Sequence, residues 1–209
     1  MGLNRFMAAA CVAALVAGAG VANAAVYVQS VEAFSPGGGV RTPDGYVDAT
    51  APDYLAQALA RVNSVDRNFL SLGTRGSIVL GFGAGPFVGT TLFEVTNGCA
   101  ATTCGHWPES VEVHYGDSAN GGWTLAGTIS NSVAPSSVSG NTRGYTLDIA
   151  TPFSFLRLVD TSNFGSESNA GWDIDAVSVA PIPVPAALPL LLAGLGGIAW
   201  VGRRRAKAA

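Results

Sequence analysis

Lysine is almost missing from this chain of 209 residues; Lys207, three places from the end, is the only one. Histidine occurs twice, cysteine three times, and charged residues make up 12% of the chain. Five of the 11 basic residues (Arg5, Arg203, Arg204, Arg205 and Lys207) sit at the two ends. Six arginines therefore face all 14 acidic residues across residues 25–181, a net charge near −8. Such a surface repels nucleic-acid phosphates and anionic lipid, so no nucleic-acid partner is expected. Catalytic motifs are equally scarce. G-x-S-x-G does not occur, and no serine can be given His and Asp partners by any motif. Cys99, Cys104 and His106 form C-x4-C-x-H, which is not a zinc spacing, and no second ligand pair follows. The interior also lacks a long apolar run, so the mean hydropathy of +0.34 comes from the two ends.

The N-terminal end reads as a secretory signal peptide over residues 1–24. Arg5 is its positive n-region, and residues 6–21 form an Ala- and Val-rich apolar stretch. Ala22-Asn23-Ala24 is an A-x-A cleavage site for signal peptidase, so the mature chain is expected to begin at Ala25. Cys11 lies inside the apolar stretch, with too short a run before it for a lipoprotein cleavage box.

The C-terminal end, residues 182–209, has three parts in order: Pro183-Val184-Pro185-Ala186, an apolar run over residues 187–201, and Arg203-Arg204-Arg205. A bilayer core takes roughly 17–25 helical residues, and Ile182 to Gly202 supplies about 21. The prolines fall where a missing N–H does least harm. Three arginines after the run hold that end in the cytoplasm. A core helix rarely lacks a polar face over such a length.

This three-part tail resembles a PEP-CTERM sorting signal of the V-P-x-P-A type, carried by Val184, Pro185 and Ala186 after Ile182-Pro183; it lacks the Glu of the commoner V-P-E-P form. The resemblance implies an exosortase-type membrane protease as partner and cleavage near the proline signal. It also implies an inner-membrane-anchored precursor, then delivery to the cell surface or extracellular matrix of a Gram-negative bacterium that makes exopolysaccharide.

Residues 25–181 suit one domain. Short runs of Val, Ile, Leu, Phe and Tyr alternate with Gly, Asn, Ser and Pro. Strands are predicted at 26–31, 69–72, 77–82, 91–96, 110–115, 123–129, 145–149, 153–159 and 173–179. That density predicts a two-sheet antiparallel β-sandwich. Val111, Val113 and Tyr115 share one face of their strand, leaving His114 outward. Leu156 and Leu158 alternate with Phe153, Phe155, Arg157 and Val159, as in a strand buried on both sides. One helix is expected over 52–62, where Leu55, Ala58, Leu59 and Val62 share a face and Asp53 stands near the start. Residues 37–39 and 132–141 read as loops. Gly81-Phe82-Gly83-Ala84-Gly85 follows a strand, but Pro86 comes next and no helix opens, so it reads as a β-loop rather than a phosphate cradle. In an exported protein Cys99 and Cys104 are expected to close a small disulfide loop, contributing at most about 2–3 kcal/mol.

The candidate ligands are acidic. Asp160 ends one strand; Asp173 and Asp175 open the last, on one face by the period of two and about 7 Å apart. Such carboxylates can hold Ca²⁺ or accept bonds from neighbouring backbone N–H groups. Glu94, Glu109 and Glu112 are candidates for a glycosidase pair only in the generic sense that two carboxylates are required.

From Leu70 to Val179, the segments SLGTRGSIVLGF, LFEVTNG, ESVEVHYGDSANGGWTLAGTISN, FSFLRLVDTS and GWDIDAVSV resemble the galactose-binding-like jelly-roll modules of exported bacterial proteins with this type of tail. The resemblance implies a jelly roll that binds carbohydrate or cell-surface material, sometimes with structural calcium. The function expected is that of a non-catalytic surface or matrix protein that contacts exopolysaccharide, with Trp107, Tyr115, Trp123 and Trp172 as candidate sugar platforms; core packing is the favoured role for Trp123 and Trp172. The alternative is a purely structural or adhesive protein-binding sandwich, and a secreted hydrolase is the third reading.

Overall fold

The computed structural model describes residues 24–39, 45–96, 104, 108–163 and 171–182. All of them fall in one compact unit, Ala24–Ile182. The signal-peptide and sorting-tail assignments lie outside these residues, apart from the boundary at Ala24, Ala25 and Ile182. No described helix is long and apolar enough to cross a membrane.

Among the described residues eleven strands and one helix are formed: β1 (Val26–Tyr27), β2 (Ser30–Ser35), α1 (Tyr54–Val62), β3 (Leu70–Ser71), β4 (Ser77–Gly81), β5 (Phe87–Val95), β6 (Ser110–Gly116), β7 (Thr124–Ser130), β8 (Ser137–Ser139), β9 (Thr142–Leu147), β10 (Phe155–Asp160) and β11 (Asp173–Pro181). They make two antiparallel sheets. One has the order β1-β11-β5-β9-β8, with β3 also on β11; the other is β2-β4-β10-β6-β7. Setting aside the edge strands β1, β2 and β8 leaves β3-β11-β5-β9 over β4-β10-β6-β7. Apart from the β6–β7 hairpin, each of these eight strands passes to the opposite sheet from the one before it. That wrapping is the strand order of a jelly roll.

The period of two sorts side chains as expected. Val111 and Val113 of β6, Leu156 and Leu158 of β10, and Ile78 and Leu80 of β4 are fully or nearly fully buried in one core with Leu92, Ile174 and Val177 of the facing sheet. On the outer face of β10, Phe155, Arg157 and Val159 are only half-buried, so this central strand is not sealed on both sides. Helix α1 buries Ala58 and Val62, with Leu55 and Leu59 packed against the same core. Asp53 stands at its N-cap but makes no capping bond; its Oδ1 accepts from Gln57 Nε2 at 2.8 Å instead. β8 lies inside the segment expected to be a loop, as an exposed three-residue edge on β9.

Candidate functional site

Strand polarity brings the ends of β3, β5, β7 and β10 and the starts of β4, β6, β9 and β11 to one end of the sandwich. The core there is closed by polar groups. Glu94 follows Leu92 on the inward face of β5, opposite Arg143 of β9 and Ile174 of β11. Glu109 precedes Val111 with the same inward phase. The two carboxyls meet across the sheets in a hydrogen bond. Asn131, after β7, ties them together: its Nδ2 donates to Glu94 Oε1 (3.0 Å) and Glu109 Oε2 (3.3 Å), and its Oδ1 accepts from the Glu109 backbone N–H (2.9 Å).

Burial opposes charge here. Glu94 is fully buried, and burial raises its pKa against the pull of Glu109, Asn131 and Arg143. Glu109 is pushed up to about 11, first by burial, then by its bond to Glu94 and by the negative charges of Glu94, Asp173 and Asp160. Glu94 Oε2 has no well-aligned donor among the described residues. With both pKa values raised, a proton held between the two carboxyls would supply one. Asp173 is pushed up to about 7 by burial, partly offset by a bond from Ser71, with Glu94 and Asp160 adding to the rise. Tyr145 beside Glu94 is raised as well, burial being the main cause; its ring packs edge-on against Trp172 at 5.6 Å.

The same end carries a cleft of about 590 Å³, lined by Gly38, Thr74, Arg75, Asp160, Thr161 and Asn163 among others. Its floor is Asp160, 1% exposed, with both oxygens filled. Oδ1 accepts the backbone N–H of Arg75 (3.1 Å) and Ser162 (3.1 Å); Oδ2 accepts the Ser162 hydroxyl (2.8 Å) and the Trp172 N–H (2.8 Å). One wall is the turn Gly73-Thr74-Arg75-Gly76, bracketed to the segment before it by Gly37 N–H to Leu72 O (2.8 Å) and Thr74 N–H to Gly38 O (2.8 Å). Glycine is required at Gly76, where a Cβ would stand 1.8 Å from Leu72 O. Arg75, Thr161 and Asn163 are exposed at the rim.

The other expected residues scatter. Asp175 does not share a face with Asp173. A β-bulge between Ile174 and Ala176 breaks the alternation and turns it elsewhere. Its Oδ1 accepts the Arg67 N–H (2.7 Å) and its Oδ2 the Thr142 hydroxyl (3.1 Å). Asp160, Asp173 and Asp175 therefore serve different neighbours. Among the described residues no group of three or more His, Cys, Asp or Glu side chains is arranged to hold a metal. Glu112 lies on the outer face and meets His114 Nε2 at 3.2 Å. Glu94 and Glu109 do come together, but in direct hydrogen bond, closer than the separation of about 5 Å or more that glycosidases use. Trp172 is fully buried core, and Tyr115 packs partly buried on Phe153. Trp123 is half-exposed, lying over Gly116. Cys104 is buried. Cys99, His106 and Trp107 lie outside the described residues. Arg75 was not legible beforehand, although its place inside a Gly-x-x-Gly turn was a usable signal.

No protein-family model matches the sequence, and no curated protein matches it. Similar solved structures exist. A CBM32 of AlyQ, in complex with 4,5-unsaturated mannuronic acid, is 15% identical with a TM-score of 0.43, covering 75% of this chain and 97% of that one. The family 32 carbohydrate-binding module from Streptococcus pneumoniae EndoD is 11% identical (TM-score 0.45), covering 76% and 100%. A structure described as a glycoside hydrolase is 10% identical (TM-score 0.46), covering 77% of this chain and 32% of that one. At these identities and scores the likeness assigns neither ligand nor activity to this chain.

Proposed function

We propose that the chain is an exported, non-catalytic surface or matrix protein whose jelly roll holds exopolysaccharide in the Arg75 cleft. The observation that carries this reading is the cleft itself: a rigid wall and floor, with hydroxyl, amide and guanidinium groups presented at the rim. Sugar hydroxyls need such mixed donors and acceptors on a preformed surface. The carboxylates that a hydrolase would need are buried against each other instead. The signal peptide, cleaved by signal peptidase after Ala24, and the tail from Pro183 to Arg205, read by an exosortase-type protease, would deliver the domain. A Cys99–Cys104 bridge would brace the β5–β6 connection.

The test has two readouts. Expressed with and without an exosortase, the protein is expected to lose its tail by intact mass only when the protease is present. Purified from the exporting host, it should be retarded in gels cast with that host's exopolysaccharide. An intact, membrane-bound chain in both hosts would make the tail an ordinary anchor. Free migration in the gel would favour the adhesive alternative, for which the groove beside exposed Val133 is the place to look for a protein partner.

A further inference from the structure

Among the described residues, two non-glycine residues have left-handed backbone, and both are arginines: Arg67 (φ 70°) and Arg75 (φ 66°). Glycine occupies ten other positive-φ positions. A side chain in this conformation meets a steric penalty that glycine avoids. Glycine is plentiful in this chain, 27 residues of 209, yet these two turns carry arginine.

Both turns are held in the same way. The Arg67 N–H donates to buried Asp175, and the Arg75 N–H to buried Asp160. That hold uses the backbone alone and would survive with glycine, so the side chains need a separate reason. For Arg67 the fold supplies one: its Nη2 lies against Gly140 of the β8–β9 turn, in the space a Cβ there would fill. Arg75 has none. Among the described residues its guanidinium has no hydrogen bond or ion pair, and it stands exposed on the cleft. The nearby carboxylate cannot serve it, because both oxygens of Asp160 are filled by four donors. The cleft thus presents a guanidinium that no described side chain bonds, in a domain with six arginines and no lysine. Strained residues kept in place by their surroundings cluster at ligand sites.

We infer that the cleft binds a carboxylate-bearing sugar, a uronic acid residue of an acidic polysaccharide, with Arg75 gripping the carboxylate and Thr161 and Asn163 facing its hydroxyls. The inference rests on the reading of the domain as a glycan binder. A planar guanidinium matches a carboxylate with two parallel bonds, which a lysine cannot reproduce.

The experiment is affinity electrophoresis and calorimetry of the purified full chain on polygalacturonate and alginate, on their carboxyl-reduced forms, and on a neutral galactan. Arg75→Gly, Arg75→Lys and Arg67→Gly run in parallel, each with a melting curve. The expected result is binding to a uronate polymer that weakens with added salt and falls by about 10- to 100-fold on carboxyl reduction. Arg75→Gly is expected to lose a similar factor with its melting temperature kept or raised, Arg75→Lys to recover part of it, and Arg67→Gly to bind like the wild type. Equal affinity for neutral and carboxyl-reduced polymers would overturn the acidic-sugar inference and leave glycan binding standing. Unchanged uronate binding by Arg75→Gly would overturn the placement. Binding to none of the polymers would overturn the acidic-sugar inference, while the glycan-binding reading falls only with free migration in gels cast with the host's exopolysaccharide.

Discussion

The shared proton at Glu94 and Glu109 is the residue-scale feature with the clearest consequence in solution. Both carboxyls have raised pKa values, Glu109 to about 11, and Asp173 beside them reaches about 7. The native state therefore holds protons that the unfolded chain releases above about pH 4. Where the native state binds more protons than the unfolded one, stability falls as pH rises. The stabilising contribution of these groups is complete below pH 4. Asp173's share is lost by about pH 7, and Glu109's continues to decline into the alkaline range. The melting temperature is thus expected to drop steadily from pH 5 to pH 9, and Glu109→Gln, which keeps the hydrogen bond without the titration, should flatten that slope. A melting temperature that is level or rises over this window would contradict the shared-proton assignment. The position of Glu94 was readable in outline, since Leu92 and Glu94 share a face, as do Val111 and Glu109. What the alternation could not tell is that the two faces meet at the same end.

At the scale of elements, the strands were legible because half-buried strands alternate, and helix α1 because four apolar residues repeat on one side. Four features escaped for physical reasons. The strand expected over 26–31 is two, β1 on β11 and β2 on β4 in the other sheet, because the chain crosses between the sheets at 28–29. β8 is a Ser-Val-Ser edge with no buried face, so no pattern marks it. The bulge at Asp175 turns a side chain that strict alternation aligns with Asp173. The Gly73–Gly76 turn depends on a partner 85 positions away, Asp160, which local sequence cannot supply. That turn is the element on which the cleft depends. Gly76→Ala would drive a Cβ into Leu72 O, so the backbone must move. We expect a loss of about 1–3 kcal/mol in urea denaturation together with loss of glycan binding. A variant as stable as the wild type would show that the turn has slack the structure does not display. Arg75→Gly should differ by less than about 1 kcal/mol, since relief of left-handed strain is offset by the greater freedom of glycine in the unfolded chain.

For the whole molecule, the strand order defines a jelly roll whose one end gathers the Glu94–Glu109 carboxyl pair, a filled Asp160 and an Arg75 that no described side chain bonds. The net charge of residues 25–181, near −8, opposes an anionic partner over most of the surface. Exposed Arg75 is the local exception, the point where a carboxylate meets attraction instead of repulsion. The most direct measurement is a nuclear magnetic resonance titration of isotope-labelled protein with the exporting host's exopolysaccharide, following the Arg75 side-chain Nε–H and the backbone amides. Saturable shifts are expected at Arg75, Thr74, Thr161 and Asn163, with Arg67 and the outer face of β10 unmoved. Shifts confined to another face, or none at saturating polymer, would contradict this placement.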